Sequence, residues 1–181
     1  MLFRFNIKQT DEDYLEFNKF WMLRSHYGKK QITTFRISIA VIIGVVILLS
    51  LFGGGFSLDA FWGVIPYIIL LALFEIGVVP FFTIFLKLTV KNLKKSGKMG
   101  YSPKSVMEFY DDEFTEATDE NETRQKYSAI ERVSIVTGKN IYIHINNLMA
   151  YILPWYCFDS NDQRDSFIQF IRTKCENVDV Y

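Results

Sequence analysis

The chain has 181 residues, of which 20 are basic and 20 are acidic, and half of its residues are hydrophobic. The neutral balance hides an asymmetry, because residues 1–100 hold 12 basic and 6 acidic residues whereas residues 101–181 hold 8 basic and 14 acidic residues. The acidic second part disfavours binding to nucleic acid. The length is expected to support one membrane hairpin and one small domain.

Residues 1–34 are predicted to form a cytosolic strand followed by an amphipathic helix. Apolar and polar side chains alternate over residues 3–7, as in a half-buried strand. Thr10 precedes three acidic residues, which is typical of a helix start, and this helix is expected to end near Ser25. Aromatic residues recur on one helix face, which suits either the headgroup layer of a membrane or packing against a cytosolic domain.

Residues 35–100 are predicted to form a transmembrane helical hairpin with a polybasic exit. The apolar stretches 35–56 and 60–86 each reach the roughly 20 residues that a helix needs to cross a hydrocarbon core. Lysine and arginine flank both outer ends and are absent from the connector, so both termini are expected in the cytoplasm. The first 30 residues do not have the pattern of a cleaved leader. Cys157 and Cys175 are then expected to be free thiols in a reducing compartment.

Glu75 is the residue of the hairpin that most needs an explanation, because a carboxylate facing lipid costs several kcal/mol. Counted by the rise per residue of a helix, Glu75 lies at the same depth as Arg36 and Ser38, which are polar partners that it could contact. A structural pair and a functional polar site are the two interpretations, although two helices alone cannot enclose a pore. Ala40 and Gly44 are four residues apart and allow close approach of another helix, either the second span or a second copy of the chain.

A run of lysines follows the second span and comprises Lys87, Lys91, Lys94, Lys95 and Lys98. Each such lysine near anionic headgroups contributes roughly 1 kcal/mol to membrane binding. The run is interpreted as the positive cytoplasmic flank of the span, with specific lipid recognition as the alternative. Nucleic acid is not an expected partner, because the run lacks interleaved aromatic platforms.

Residues 101–181 are predicted to form a cytosolic β domain. Six short antiparallel strands are expected at residues 106–110, 113–118, 123–130, 132–137, 141–145 and 148–153, with polar turns between them. Ser160 with Gln163 predicts the start of a C-terminal helix. Strands closed by one such helix are in the order of a PH-like half-barrel, so the expected fold class is α+β, a two-helix transmembrane hairpin with a small antiparallel half-barrel.

Several segments together resemble the bacterial YcxB-like membrane proteins. They are residues 7–14 (Ile-Lys-Gln-Thr-Asp-Glu-Asp-Tyr), the two apolar stretches, residues 127–130 (Tyr-Ser-Ala-Ile) and residues 150–154 (Ala-Tyr-Ile-Leu-Pro) with Phe158. The resemblance implies this architecture in a bacterial plasma membrane and supplies almost no chemistry. The family's proline is typically followed by a basic residue, whereas Trp155 and Tyr156 follow Pro154 here. An exposed Trp-Tyr pair favours a partner contact, and burial under the C-terminal helix is the alternative.

Catalysis, a metal and a cofactor are not expected. His26 and His144 lie in no recognised nucleophile or metal motif, and the cysteines and histidines lack the spacing of a zinc site. The glycines at 53–55 are not followed by the Lys-Ser/Thr of a phosphate-binding loop. Acidic residues between 111 and 122 are explained as solvated strand edges and turns.

Three functions are compatible with these patterns. The first is a membrane-anchored interaction or regulatory protein whose cytosolic PH-like domain binds a protein partner. The second is an immunity protein against a membrane-active or secreted toxin, which rests on analogy. The third is an accessory transporter subunit that uses Glu75. The lipid bilayer is the expected partner in all three, and a homo-oligomer is a further option.

Overall fold

The computed structural model describes residues 1–53, 58–97 and 100–181, which form two compact units. The first unit joins Met1–Phe17 to Asn92–Tyr181, and the second unit is Asn18–Lys91. The expected connector residues 54–57 and Lys98 lie outside the described residues. The protein is an α+β protein with two long apolar helices and two β-sheets.

The first unit contains eight strands in two four-stranded sheets among the described residues. In chain order the strands are β1 (Phe3–Ile7), β2 (Ser105–Phe109), β3 (Glu113–Thr118), β4 (Glu122–Lys126), β5 (Arg132–Val136), β6 (Asn140–His144), β7 (Ala150–Pro154) and β8 (Val178–Val180). Sheet 1 has the order β1-β2-β3-β4, and sheet 2 has the order β7-β6-β5-β8. All pairs are antiparallel except β5 with β8. The two sheets do not form a closed barrel.

The strand at the N-terminus is confirmed, and it pairs with the first strand after the hairpin. Phe3 lies opposite Phe109 and Ile7 lies opposite Ser105. Phe5 and Ile7 are buried while Arg4 and Asn6 are exposed, which is the alternation that the sequence showed. The pairing places segments from before and after the two long helices in one sheet.

The predicted strand 123–130 is shorter in the structure. β4 ends at Lys126, and Tyr127–Ala129 forms a 3-10 turn. The turn arises because the ring of Tyr127 is buried and its hydroxyl donates a hydrogen bond of 2.8 Å to the carbonyl oxygen of Tyr110. The sequence did not predict β8. A strand of three residues without a neighbouring turn signal is too short for an alternating pattern to be recognised.

Side chains from both sheets and from the C-terminal helix form one hydrophobic core. The C-terminal helix, α4, is Asn161–Lys174. It begins as predicted, because the Ser160 hydroxyl accepts a 3.1 Å hydrogen bond from the amide of Gln163. Phe167 and Ile171 of α4 are fully buried in this core.

The described residues contain three further α-helices, namely α1 (Asp11–Arg24), α2 (His26–Gly53) and α3 (Leu58–Lys95). The end of α1 agrees with the sequence prediction. α2 follows almost directly, and a Cβ atom at Gly28 would overlap the carbonyl oxygens of Trp21 and Met22, so this junction requires glycine. α2 and α3 are long and apolar enough to cross a membrane, and α3 is continuous through Pro66 and Pro80.

Candidate functional site

An ion pair joins α2 to α3 within the second unit. The Arg36 Nε atom lies 3.2 Å from the Glu75 Oε2 atom, and the two side chains are 38% and 42% exposed. The sequence neighbours of the two residues also contact each other, since the ring centroid of Phe35 lies 5.5 Å from that of Phe74. The structure thus brings Glu75 to Arg36, which are the residues that the sequence placed at equal depth. The geometry gives the Glu75 carboxylate a structural partner.

The other polar and small residues predicted in the hairpin are placed differently. Ser38 is exposed. Ala40 and Gly44 are half-buried, and a Cβ atom at Gly44 would meet no described atom within 4 Å. The close helix approach expected at this small pair is therefore not formed at Gly44 by the part of the chain that the structure describes.

The ion pair gives a first prediction. Replacing Glu75 with glutamine is expected to destabilise the hairpin, because Arg36 is left as an unpaired charge among apolar helices. The double variant Arg36→Gln/Glu75→Gln is expected to be less destabilised than the sum of the two single variants, with a coupling energy of about 1 kcal/mol. Thermal unfolding of the four proteins in the same lipid nanodiscs measures this energy. A coupling energy near zero would show that the contact contributes nothing to the hairpin.

The lysines after the second span are exposed, and one of them is already engaged within the first unit. Lys87, Lys91, Lys94 and Lys95 have exposed side chains on α3. The ammonium of Lys94 bonds to the Asp11 carboxylate, which also accepts a 2.6 Å hydrogen bond from the Tyr101 hydroxyl. Both hydrogen bonds lower the pKa of Asp11, with the one from Lys94 as the larger cause. Lys94 therefore differs from the other lysines as a candidate for binding a headgroup.

Tyr156 of the Trp-Tyr pair after β7 contacts the start of α1, whereas Trp155 lies against α4. The Tyr156 hydroxyl is 2.7 Å from the Asp13 Oδ2 atom and 2.8 Å from the carbonyl oxygen of Lys8, although the side chain as a whole is exposed. Burial and the Asp13 carboxylate raise the pKa of Tyr156. Trp155 is half-buried, and the Arg164 guanidinium lies 4.7 Å from the centre of its ring. Both residues thus help to hold the first unit together.

The sequence did not single out Asp13, although its position three residues after Thr10 is typical of a helix cap. The Asp13 carboxylate accepts hydrogen bonds from the amide and from the hydroxyl of Thr10, at 2.9 and 2.7 Å. In return the Thr10 hydroxyl accepts a 3.2 Å hydrogen bond from the Asp13 amide. This reciprocal arrangement is a capping box with aspartate in the position usually held by glutamate.

Removing the Asp13 carboxylate is expected to weaken the first unit. The variant Asp13→Ala should lose about 1–2 kcal/mol of unfolding free energy, because the cap and the contact with Tyr156 disappear together. Glu12→Ala is the matched control, since Glu12 is exposed in the same helical turn. Urea titration followed by hydrogen exchange of the strand amides measures both. An equal loss in both variants would indicate a helix-dipole effect in place of the specific network.

A buried polar face of sheet 2 was also missed by sequence reasoning. His144 lies opposite Arg132 in the register of β5 and β6, and its side chain is 1% exposed. Among the described residues neither ring nitrogen of His144 has a hydrogen-bond partner, and the hydroxyl of Ser134 has none either. The Phe17 ring of α1 lies 6.2 Å from the imidazole. Burial, and secondly the charge of Arg132, lower the pKa of His144 to about 4.

The strands β3 to β7 and most of α4 lie in one segment that matches a known family. Residues 109–171 match the model of the YcxB-like protein family. The resemblance to the YcxB-like family is confirmed over this segment. No curated protein and no solved structure matches the chain.

The YcxB-like segment contains Trp155 and Tyr156 as well as His144 and Ser134, so both polar arrangements involve it. It also contains Cys157, whose thiol pKa is raised to about 12 by burial, while burial raises that of Cys175 to about 11. Both cysteines are free. Over the described ranges of the chain, no three histidine, cysteine, aspartate or glutamate residues are grouped so as to hold a metal ion.

Proposed function

We propose that this protein is a membrane-anchored interaction or regulatory protein of the bacterial plasma membrane. The observation that carries the proposal is the surface of α2 and α3, since only 6% of the most apolar window of each helix is buried within the protein. Helices with this composition and an uncovered apolar surface are suited to a lipid environment. By length and composition α2 and α3 form a two-span anchor.

The arrangement of the first unit supports a topology with both termini on one side of the membrane. The segment before α2 contributes β1, and the segment after α3 contributes β2, to which β1 is hydrogen-bonded. A hairpin of two spans returns the chain to the side on which it started, as this pairing requires. The lysines and arginines at the outer ends of the hairpin favour the cytoplasm as that side.

The cytosolic unit is proposed to be a PH-like domain that binds a protein partner. A series of strands is followed by α4, whose Phe167 and Ile171 pack into the core shared by both sheets, and this order supports the proposal. The acidic character of residues 101–181 favours a partner with a basic surface. No catalytic activity is proposed.

Two measurements test this proposal in cells. Carbonate-washed membranes should retain the tagged full-length protein, and its recovery in the soluble fraction would contradict the anchor. Photo-cross-linking residues are then placed at exposed positions of the first unit, such as Glu120 and Lys126, and at Leu73 of α3 as a comparison. One abundant protein captured from the first unit and not from Leu73 would support an interaction module. Capture only of the chain itself from Leu73 would instead indicate an oligomer that acts within the membrane.

The ion pair favours one second candidate, an accessory subunit of a transporter. Glu75 and Arg36 are charged residues on helices suited to the membrane, and such residues often mark a path for an ion or substrate. The variant Glu75→Gln separates the candidates. Loss of a transport phenotype with normal insertion would favour the transporter subunit, whereas unchanged transport with unchanged partner capture would favour the interaction module.

A further inference from the structure

The turn between β6 and β7 presents two large apolar side chains to solvent. Leu148 and Met149 are 70% and 66% exposed, and they are neighbours in sequence. The sequence predicted a strand over residues 148–153 after a turn at residues 146–147. In the structure β7 begins only at Ala150. The two side chains are therefore left at the tip of the turn.

Hydrogen bonds hold this tip in a defined conformation. The Asn146 Oδ1 atom accepts hydrogen bonds of 2.8 Å from the amides of both Leu148 and Met149. The Ile145 amide also donates a 3.1 Å hydrogen bond to the carbonyl oxygen of Met149. Such side-chain bonds to the backbone fix a turn without any tertiary contact. Because the backbone is already ordered, burying the tip requires little further loss of conformational entropy.

Contacts within the first unit show where the tip lies along α1. Asp13 of α1 lies at Tyr156, beyond the end of β7, and Glu16 pairs with Lys139 at 2.7 Å, just before β6. Phe17 then lies over Tyr142 and His144, with ring centroids 5.2 and 6.2 Å away. α1 thus follows β6 in the direction of the turn. α1 continues beyond Phe17 to Arg24, and α2 begins at His26.

We propose that Leu148 and Met149 insert into the interfacial layer of the bilayer in which α2 and α3 are anchored. Covalent attachment at both ends of the hairpin keeps the local concentration of bilayer around this unit high, so weak insertion by two side chains is sufficient. Glu131, whose amide donates to the carbonyl oxygen of His144, and Arg132, which lies opposite His144, place one charge of each sign at this end of the sheet. Insertion therefore does not depend on anionic lipid. The proposal rests on the membrane anchor proposed above.

The test places an environment-sensitive fluorophore on the tip of the full-length protein in phosphatidylcholine nanodiscs. The variant Leu148→Cys is labelled near neutral pH with a thiol-reactive fluorophore. The native cysteines react slowly under these conditions, because burial holds the pKa values of their thiols well above this pH. The matched control is Glu120→Cys, an exposed position in the β3–β4 turn that is also fixed by hydrogen bonds, such as that from the Thr118 amide to the Asn121 carbonyl oxygen.

The expected result is a blue-shifted emission at position 148 and quenching by spin-labelled lipid at least about twofold stronger than at position 120. Equal emission and quenching at the two positions would overturn the proposal. A blue shift at position 148 without lipid quenching would also overturn it and would indicate a second copy or another protein as the occupant. Failure of the anchor is distinguishable, because a protein without inserted helices does not co-purify with the nanodiscs.

Discussion

Replacing Phe167 with alanine is expected to lower the unfolding free energy of the first unit by about 3–5 kcal/mol. The side chain of Phe167 is fully buried, and its ring contacts aromatic rings from both ends of the chain. The ring centroids of Phe3, Phe5, Phe109, Phe158 and Phe170 all lie between 4.8 and 6.4 Å away. A cavity at this position cannot be filled by the rigid strands around it.

The matched control for Phe167→Ala is Gln169→Ala, which changes an exposed residue of the same helix. Urea titration of the full-length protein in detergent micelles, followed by hydrogen exchange of the β2 and β3 amides, measures both variants. The control should remain within about 0.5 kcal/mol of the natural protein. A similarly small effect of Phe167→Ala would mean that α4 is not part of the cooperative core.

Acidification is expected to destabilise the first unit through His144. In the folded protein the pKa of His144 is lowered to about 4, whereas the unfolded chain has the ordinary value of about 6.5. Between these values the unfolded state binds a proton that the folded state does not. Stability therefore falls as the pH falls from about 6.5 to about 4, by up to about 3 kcal/mol, and this contribution is constant above that window.

The variant His144→Gln tests this prediction because glutamine has a similar volume and does not titrate. The difference in unfolding free energy between the variant and the natural protein should change with pH over this window and remain constant above it. His26→Gln is the control, since His26 is exposed at the start of α2. A pH-independent difference for His144→Gln would mean that the imidazole is hydrated or protonated in the folded protein.

Local patterns were sufficient to predict several elements of the first unit, because short-range chemistry sets them. Alternation located β1, and the hydroxyl of Ser160 with Gln163 located the start of α4. Long-range contacts determined the rest. β4 ends where the Tyr127 hydroxyl donates a hydrogen bond to the carbonyl oxygen of Tyr110. β8 forms because it pairs with the free edge of β5. Neither partner is visible from the local sequence.

The predicted hairpin residues illustrate the same limit at the candidate site. Counting residues along each helix was sufficient to predict that Glu75 lies at the depth of Arg36. Such counting does not give the rotation of α2 about its own axis, so it did not predict the open space beside Gly44. The buried face with His144 and Ser134 was missed because no residue of α1 can be assigned to cover it without the fold. The elements that pack against a buried polar residue are known only from the three-dimensional structure.

The pairing of β1 with β2 has a consequence for how the protein is made. Phe3 leaves the ribosome early in synthesis, yet its partner Phe109 follows only after the whole of α2 and α3 has been translated. Sheet 1 therefore cannot include its first strand until both long helices have been made, and closure spans a long loop that slows folding. During that interval Phe3, Phe5 and Ile7 are an unpaired apolar strand, which a chaperone or the translocation machinery would have to shield from aggregation.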